Sequence, residues 1–318
     1  MGAKLREVRR RIRSVQSTMK ITRAMELIAT SRIMKAQERV EQSRPYANRL
    51  TAAITDVASV SAVPGIELLE ERPEPKASAV FVVTSDRGLA GGYNANVLRV
   101  AEELFAKVRS EGKEPKLFVS GRKGVSYYRF RGRRIEESWT GFSETPNYDH
   151  AVEIADALIE KFVNEEVDEI HGVYTDFESP MRQRPAAVRF VPMVFEEVER
   201  PVEEEGPQNQ YIFEPEPAAL LEALLPRYIR TRVFNALLES AASEHAARRR
   251  AMAAATENAD ELIKVLTREA NQARQTEITT EIMEIVGGAE ALRKQAGGQG
   301  GTPSGARQEE PEPATPVG

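Results

Sequence analysis

Apolar residues at the start of the chain fall three and four apart: Leu5, Val8, Ile12, Val15 and Met19. The same phase runs on through Thr22, Glu26, Ala29, Ile33, Ala36, Val40, Ser43, Ala47, Leu50, Ile54 and Val57, with lapses at Thr22, Glu26 and Ser43. One heptad phase held over about fifty residues predicts a coiled-coil helix rather than an ordinary globular one. At roughly 1.5 Å per residue it would extend about 80 Å. Pro45 falls inside the run and is expected to bend it or remove one hydrogen bond. The helix must end before Pro64 and Gly65. A second helical region is predicted from Pro217 to Leu292, opening on Leu220, Leu221, Leu224 and Leu225 and closing on Ile278, Ile282, Ile285, Ala289 and Leu292. Pro226 in its first turns places the start of the continuous part near Tyr228.

The stretch between these helices alternates. AVFVVT (79–84), KLFVS (116–120), EIHGVYTDF and VRFVPMVF read as strands; Asn94 to Arg109 and Tyr148 to Val163 read as helices, and GRKGVSYYRFRG as a turn with a short helix. Alternation of this kind predicts an α/β domain with a mostly parallel sheet. Two long terminal helices with a compact insert can lie antiparallel, a two-stranded coiled coil closed by a globular domain. The expected organisation is an N-terminal coiled-coil helix over 1–60, a central domain over 77–197, an acidic linker over 198–216, a C-terminal coiled-coil helix over 217–293 and a disordered, low-complexity tail over 294–318.

Composition narrows the classes. Hydrophobic residues at 41% and charged residues at 29% suit a chain that buries a core, and no run approaches the roughly 18 apolar residues of a membrane span. The absence of cysteine excludes disulfides, Cys-ligated metals and thiol switches. The net charge of −5 hides an asymmetry: residues 1–50 carry thirteen Lys/Arg against four Asp/Glu, a basic arm that attracts acidic partners.

Candidate chemistry is sparse. TSDRGLAGGYN (84–94) has the strand–glycine–helix form of a nucleotide-binding loop. It lacks both the GxGxxG spacing and the GK[ST] of a P-loop, so a tight turn is favoured, with Asp86 and Arg87 pairing or capping locally. GRKG (121–124) offers Arg122 and Lys123 to a phosphate, although a solvated basic turn is the commoner outcome. His150, His171 and His245 share no metal-ligand spacing, and Ser243 and His245 point apart on a helix, so no hydrolase triad is visible. Ile21, Met25 and Ile28 form a second apolar stripe off the heptad seam, beside polar Thr22 and Glu26 on it. Either the coil repacks locally or this section passes through an apolar collar of another protein.

Five segments together carry a resemblance: ITRAMELIATSRIMKAQ (21–37), SDRGLAGGYNAN (85–96), YIFEPEP (211–217), ESAASEHAARRRAMAAATENADELI (239–263) and ARQTEITTEIMEIVGGAEAL (273–292). In this order they resemble the gamma subunit of F-type ATP synthases, bacterial in kind. The resemblance implies a long antiparallel coiled coil of N- and C-terminal helices with an inserted Rossmann-like α/β domain, starting without a removable presequence. It implies a rotor that couples proton flow to ATP synthesis at beta-subunit sites, with no catalytic site, cofactor or metal of its own. Its implied partners are alpha and beta subunits in an alpha3beta3 ring, an epsilon subunit and a c-subunit ring. Nucleic acid is not among them, and membrane attachment is through the c ring only, at the cytoplasmic face of a bacterial membrane. By motif position, Met25, Arg274, Gln275 and Thr279 would meet beta, and Tyr211 and Glu214 the c ring; Asp86 and Arg87 are offered to a neighbouring subunit. Ala90 stands where many members carry Cys, which argues against thiol chemistry there. Competing readings are a coiled-coil scaffold or nucleic-acid binder built on the basic arm, and a nucleotide-dependent enzyme built on the central domain.

Overall fold

The computed structural model describes residues 3–60, 66, 68–193 and 216–297. The elements are α1 (Ala3–Val60), β1 (Ala77–Val83), α2 (Tyr93–Ser110), β2 (Glu114–Ser120), α3 (Arg122–Phe130), β3 (Glu137–Trp139), α4 (Tyr148–Val163), β4 (Glu169–Phe177), β5 (Gln183–Val191) and α5 (Pro217–Gly297). The chain divides into two compact units, residues 18–258 and residues 1–17 with 259–318.

In the larger unit the five strands lie in the order β3-β2-β1-β4-β5. The first four run parallel, and β5 returns antiparallel to β4. β1 is central, and all seven of its residues are buried because both sheet faces are covered. On one face Val80, Val82, Leu117 and Val119 pack with Val97, Ala101, Leu104 and Phe105 of α2 and Val125 and Tyr128 of α3. On the other, Ala79, Phe81, Val83, Phe118 and Ile170 pack with Ile154, Leu158 and Phe162 of α4. The same core takes in Leu50, Ile54 and Val57 of α1 and Leu221, Leu225, Ile229 and Val233 of α5, so the helix pair forms part of one layer. Each such side chain, fully buried, stabilises by about 1.5–3 kcal/mol.

The α1–α5 pairing within this unit is antiparallel. Thr22 lies against Thr256, Ile33 and Ala36 share a core with Ala242 and Ala246, and Leu50 and Ile54 one with Leu221 and Leu225. Every seam position from Met19 to Val57 is buried or half-buried. The lapse at Thr22 is a polar seam pair: its hydroxyl lies 2.8 Å from that of Thr256, and each also reaches a carbonyl of its own helix. In the smaller unit Leu5, Val8, Leu266 and Ala270 form a core, with Ile12, Val15 and Ala273 packed against it.

Some expectations change. α5 is helical from Pro217 through Pro226, not from Tyr228. A single proline removes one N–H, and Leu221, Leu225 and Ile229, all fully buried, hold the turns on both sides of it. β3 was not expected; three residues are too short to show a period. β5 begins at Gln183, ahead of the predicted run. Residues 294–297, expected in the tail, continue α5. The rest of the tail and the acidic linker up to 215, with Tyr211 and Glu214, lie outside the described residues. No described helix is long and apolar enough to cross a membrane.

Candidate functional site

The segment after β1 is a joint. Thr84 and Ser85 are fully buried. The Thr84 hydroxyl donates to the Ser120 carbonyl at 2.8 Å and accepts from Gly124 N–H at 2.9 Å, tying the ends of β1, β2 and α3 together. The Ser85 N–H donates to Asn94 Oδ1 at 2.9 Å, which closes the turn onto α2. The Asp86 carboxylate is only 7% exposed. It accepts from the N–H groups of Arg122 (3.1 Å), Gly141 (2.8 Å) and Ser143 (3.0 Å). Of the two residues offered to a neighbouring subunit, Asp86 is thus occupied inside the fold, whereas the Arg87 side chain is 72% exposed.

Of the glycines in this turn, Gly91 faces α5, whereas Gly88 lies against Lys123 and Gly92 against Asn96. Gly91 adopts φ +54, and a Cβ there would sit 3.5 Å from Ala251 Cβ. Ala90 and Tyr93 are buried in the same contact. β1 is also where the strand order reverses, the crevice in which open α/β sheets hold ligands. Here Ser243, Ala247 and Ala251 of α5 stand on that crevice and leave a cavity of about 320 Å³. Small residues at these helix positions let the backbone approach the turn.

Beside the turn lies a cluster of charges. Glu144, in the loop before α4, contacts Arg32 of α1, Arg248 of α5 at 3.3 Å and Arg87 at 3.7 Å. Arg248, with a side chain 7% exposed, also holds Glu244 at 2.6 Å. Burial raises the Glu244 carboxyl above its ordinary range, against the pull of Arg248. His245 is 1% exposed; its Nε2 lies 3.2 Å from the Glu144 carbonyl and therefore donates to it. Met25, Ile28, Ala29 and Leu89 complete a cavity of about 270 Å³ over this cluster. Ile21, Ile28 and Leu89 are 58%, 54% and 61% exposed, whereas Met25, the middle member of the off-seam stripe, is half-buried.

Burial holds the His245 imidazole down to about 4, with the Glu144 carbonyl pulling the other way. An unfolded chain protonates this ring near pH 6.5 and the folded chain only near 4, so folding loses stability as pH falls through that window. The full effect is about 3 kcal/mol. His245→Gln, which keeps a donor for the Glu144 carbonyl, is expected to remove most of it. Urea midpoints of both proteins at pH 7 and pH 4.5 measure the difference; parallel losses would exclude His245 as the source. Glu239 acts oppositely: burial and neighbouring Asp176 push it up to about 8, so its contribution is lost as pH rises through 4.5–8.

In the smaller unit, Arg274, Gln275 and Thr279 lie together on α5, all exposed, with the Thr279 hydroxyl donating to the Gln275 carbonyl at 2.9 Å. From Ile278 to Lys294 every side chain is exposed, including the apolar stripe Ile278, Ile282, Ile285 and Leu292. No cluster of His and acidic side chains among the described residues is arranged to hold a metal ion.

A family model described as ATP synthase matches residues 4–292. The ATP synthase gamma chain of Mycolicibacterium vanbaalenii is 56% identical over 306 residues, covering 92% of this chain and 99% of the relative. The chain belongs to the ATP synthase gamma chain family. Two solved structures share this fold. The rotor of Euglena gracilis mitochondrial ATP synthase has a TM-score of 0.60 at 17% identity, over 87% of this chain and all of that one. The central stalk and c ring of the Tetrahymena thermophila mitochondrial enzyme gives 0.56 at 21%, over 76% and 99%.

For a gamma chain the informative residues are therefore those that join and those that face outward. Met25 and Arg87 line one cavity. Sequence reading missed Arg32, Glu144, Glu244 and Arg248. The four-residue spacing of Glu244 and Arg248 was the available signal, since it places opposite charges on one helix face.

Proposed function

We propose that this chain is the central rotor shaft of a proton-translocating F-type ATP synthase and carries no catalytic site, the chemistry residing in the beta subunits. The observation that carries the reading is gamma-chain similarity along nearly the whole length, residues 4–292. Two apolar stripes that stand exposed among the described residues support it: Ile21 and Ile28 on α1, and Ile278 to Leu292 on α5. Exposed apolar surface of this extent suits burial in a surrounding sleeve. An asymmetric shaft turning inside a ring contacts each beta subunit differently at each angle. That difference in contact free energy biases each site among its nucleotide states.

Met25, Arg274, Gln275 and Thr279 would meet beta, with Arg87 as an exposed contact and Asp86 holding the turn that presents it. Tyr211 and Glu214 would meet the c ring, and epsilon completes the rotor. The sector would sit at the cytoplasmic face of a bacterial membrane, attached through the c ring.

Reconstitution with alpha and beta subunits tests this: co-assembly and rotation-coupled ATP hydrolysis are expected, and a chain that neither assembles nor supports hydrolysis sinks the reading. Met25→Lys is expected to impair coupling of proton transport to ATP turnover while thermal unfolding stays unchanged. Normal coupling in that variant would remove Met25 from the collar.

A further inference from the structure

The helix α3 stops at Phe130, which is 93% exposed, more than any other large apolar side chain described. The turn that follows is fixed. The N–H groups of Arg131, Gly132 and Arg133 donate to the carbonyls of Tyr127, Arg129 and Tyr128 at 3.0–3.1 Å. Behind the turn, Arg133 lies over the Phe105 ring at 4.0 Å and pairs with Glu102 at 3.0 Å. Arg131 lies over the half-exposed Tyr127 ring at 4.9 Å. A Cβ at Gly132 would meet nothing within 4 Å, so the turn projects into open space. A mount this rigid removes the ordering cost that a loose turn would meet on binding.

Charge around Phe130 is mostly of one sign. Residues 121–134 hold six Lys/Arg and no Asp/Glu. Arg134 is engaged by Glu136 at 3.0 Å, but Arg129 and Arg131, both exposed, enter no ion pair among the described residues. A helix C-terminus favours cations, which accounts for Arg129, and one exposed apolar side chain is ordinary by itself. Neither accounts for a benzyl group held out between two unpaired arginines. An anionic lipid surface complements that combination: the ring enters the headgroup layer and the guanidinium groups meet phosphates.

The fold also orients the turn. α3 and α4 each follow a parallel strand, return along the sheet and end where the strands begin. Phe234 packs on Tyr148 at the start of α4, and Arg230 holds Asp156 further along it. Read backwards, α5 therefore runs toward the end of the sheet where α3 and α4 stop. On the shaft reading the chain entering α5 meets the c ring, so this end is turned to the membrane. A fluid lipid surface can also stay in contact with a turning shaft, which a stationary protein partner cannot.

We propose that the Phe130 turn makes a direct membrane contact beside the attachment through the c ring. Phe130 enters the headgroup layer of an anionic bilayer, and Arg129 and Arg131 pair with its phosphates. This rests on the shaft reading.

The chain's one tryptophan, Trp139, is 6% exposed, so Phe130→Trp adds an outward reporter. In the complete complex reconstituted into vesicles, brominated phosphatidylglycerol is expected to quench the added fluorescence. Brominated phosphatidylcholine should quench it at least about fivefold less, and Arg129→Gln with Arg131→Gln should weaken the phosphatidylglycerol effect by about fivefold per arginine. Quenching no greater than in the complex that keeps Phe130, equal quenching in both lipids, or full quenching in the double variant overturns the proposal. RNA binding through the turn with no lipid effect overturns it too. Normal assembly without quenching removes the membrane contact and leaves the shaft standing. Failure of the wild-type chain to assemble with its partners sinks the shaft reading instead.

Discussion

Gly121→Ala is expected to destabilise the protein by at least about 3–5 kcal/mol, a large part of a typical folding free energy. Gly121 follows β2 at φ +98, and a Cβ built there would lie 2.1 Å from the Thr84 carbonyl oxygen and 2.7 Å from its hydroxyl. Thr84 has nowhere to go. Its N–H donates to the Ser120 carbonyl at 2.8 Å, and its hydroxyl is engaged by Ser120 and Gly124. Overpacking against a fixed backbone and left-handed strain therefore add. Gly112→Ala separates the two, because Gly112 has φ +80 but no atom within 4 Å of the methyl that alanine would add. It should lose only about 1 kcal/mol. Guanidinium unfolding of both variants is the measurement, and equal losses would discard the close-approach argument.

Glu144→Gln is expected to lower stability by about 3 kcal/mol, despite near-identical shape. The substitution removes the one carboxylate shared by Arg32, Arg87 and Arg248. Arg248 is then left buried with the Glu244 carboxylate and the Gly88 carbonyl. Arg32 and Arg87 are more exposed, and water replaces much of what they lose. A double-mutant cycle with Arg248→Met should return a coupling of about 1.5 kcal/mol or more, since neighbours in one network are not additive. Additive losses would mean that the Glu144 charge stabilises through Arg32 and Arg87 rather than through Arg248.

What the sequence made legible was periodic. The α1 seam could be read because each heptad position reports its own burial, and α4 because its apolar residues recur at Ile154, Leu158 and Phe162. The parallel sheet followed from alternation of strands and helices. Asp86 was read too simply, because its three N–H partners come from Arg122, Gly141 and Ser143, residues that only the fold brings together. Glu144 gave no local sign at all: its cations come from α1, the glycine turn and α5. Pro226 was given too much weight, since the propensity cost of one proline is smaller than the burial of its neighbours. His245 was seen as one of three scattered histidines. Its chemistry arises from near-complete burial beside Arg248, which no spacing announces.

The helix α5 standing on the crevice at the end of β1 bears on inhibitor design. A compound selected for the 320 Å³ cavity would not compete with nucleotide. It would act as a wedge, prising Gly91 from Ala247 and Ala251 and loosening the sheet from its axle. Its potency should then follow the mechanical load on the rotor instead of the ATP concentration. Variants that weaken the Arg248 junction should be hypersensitive to it.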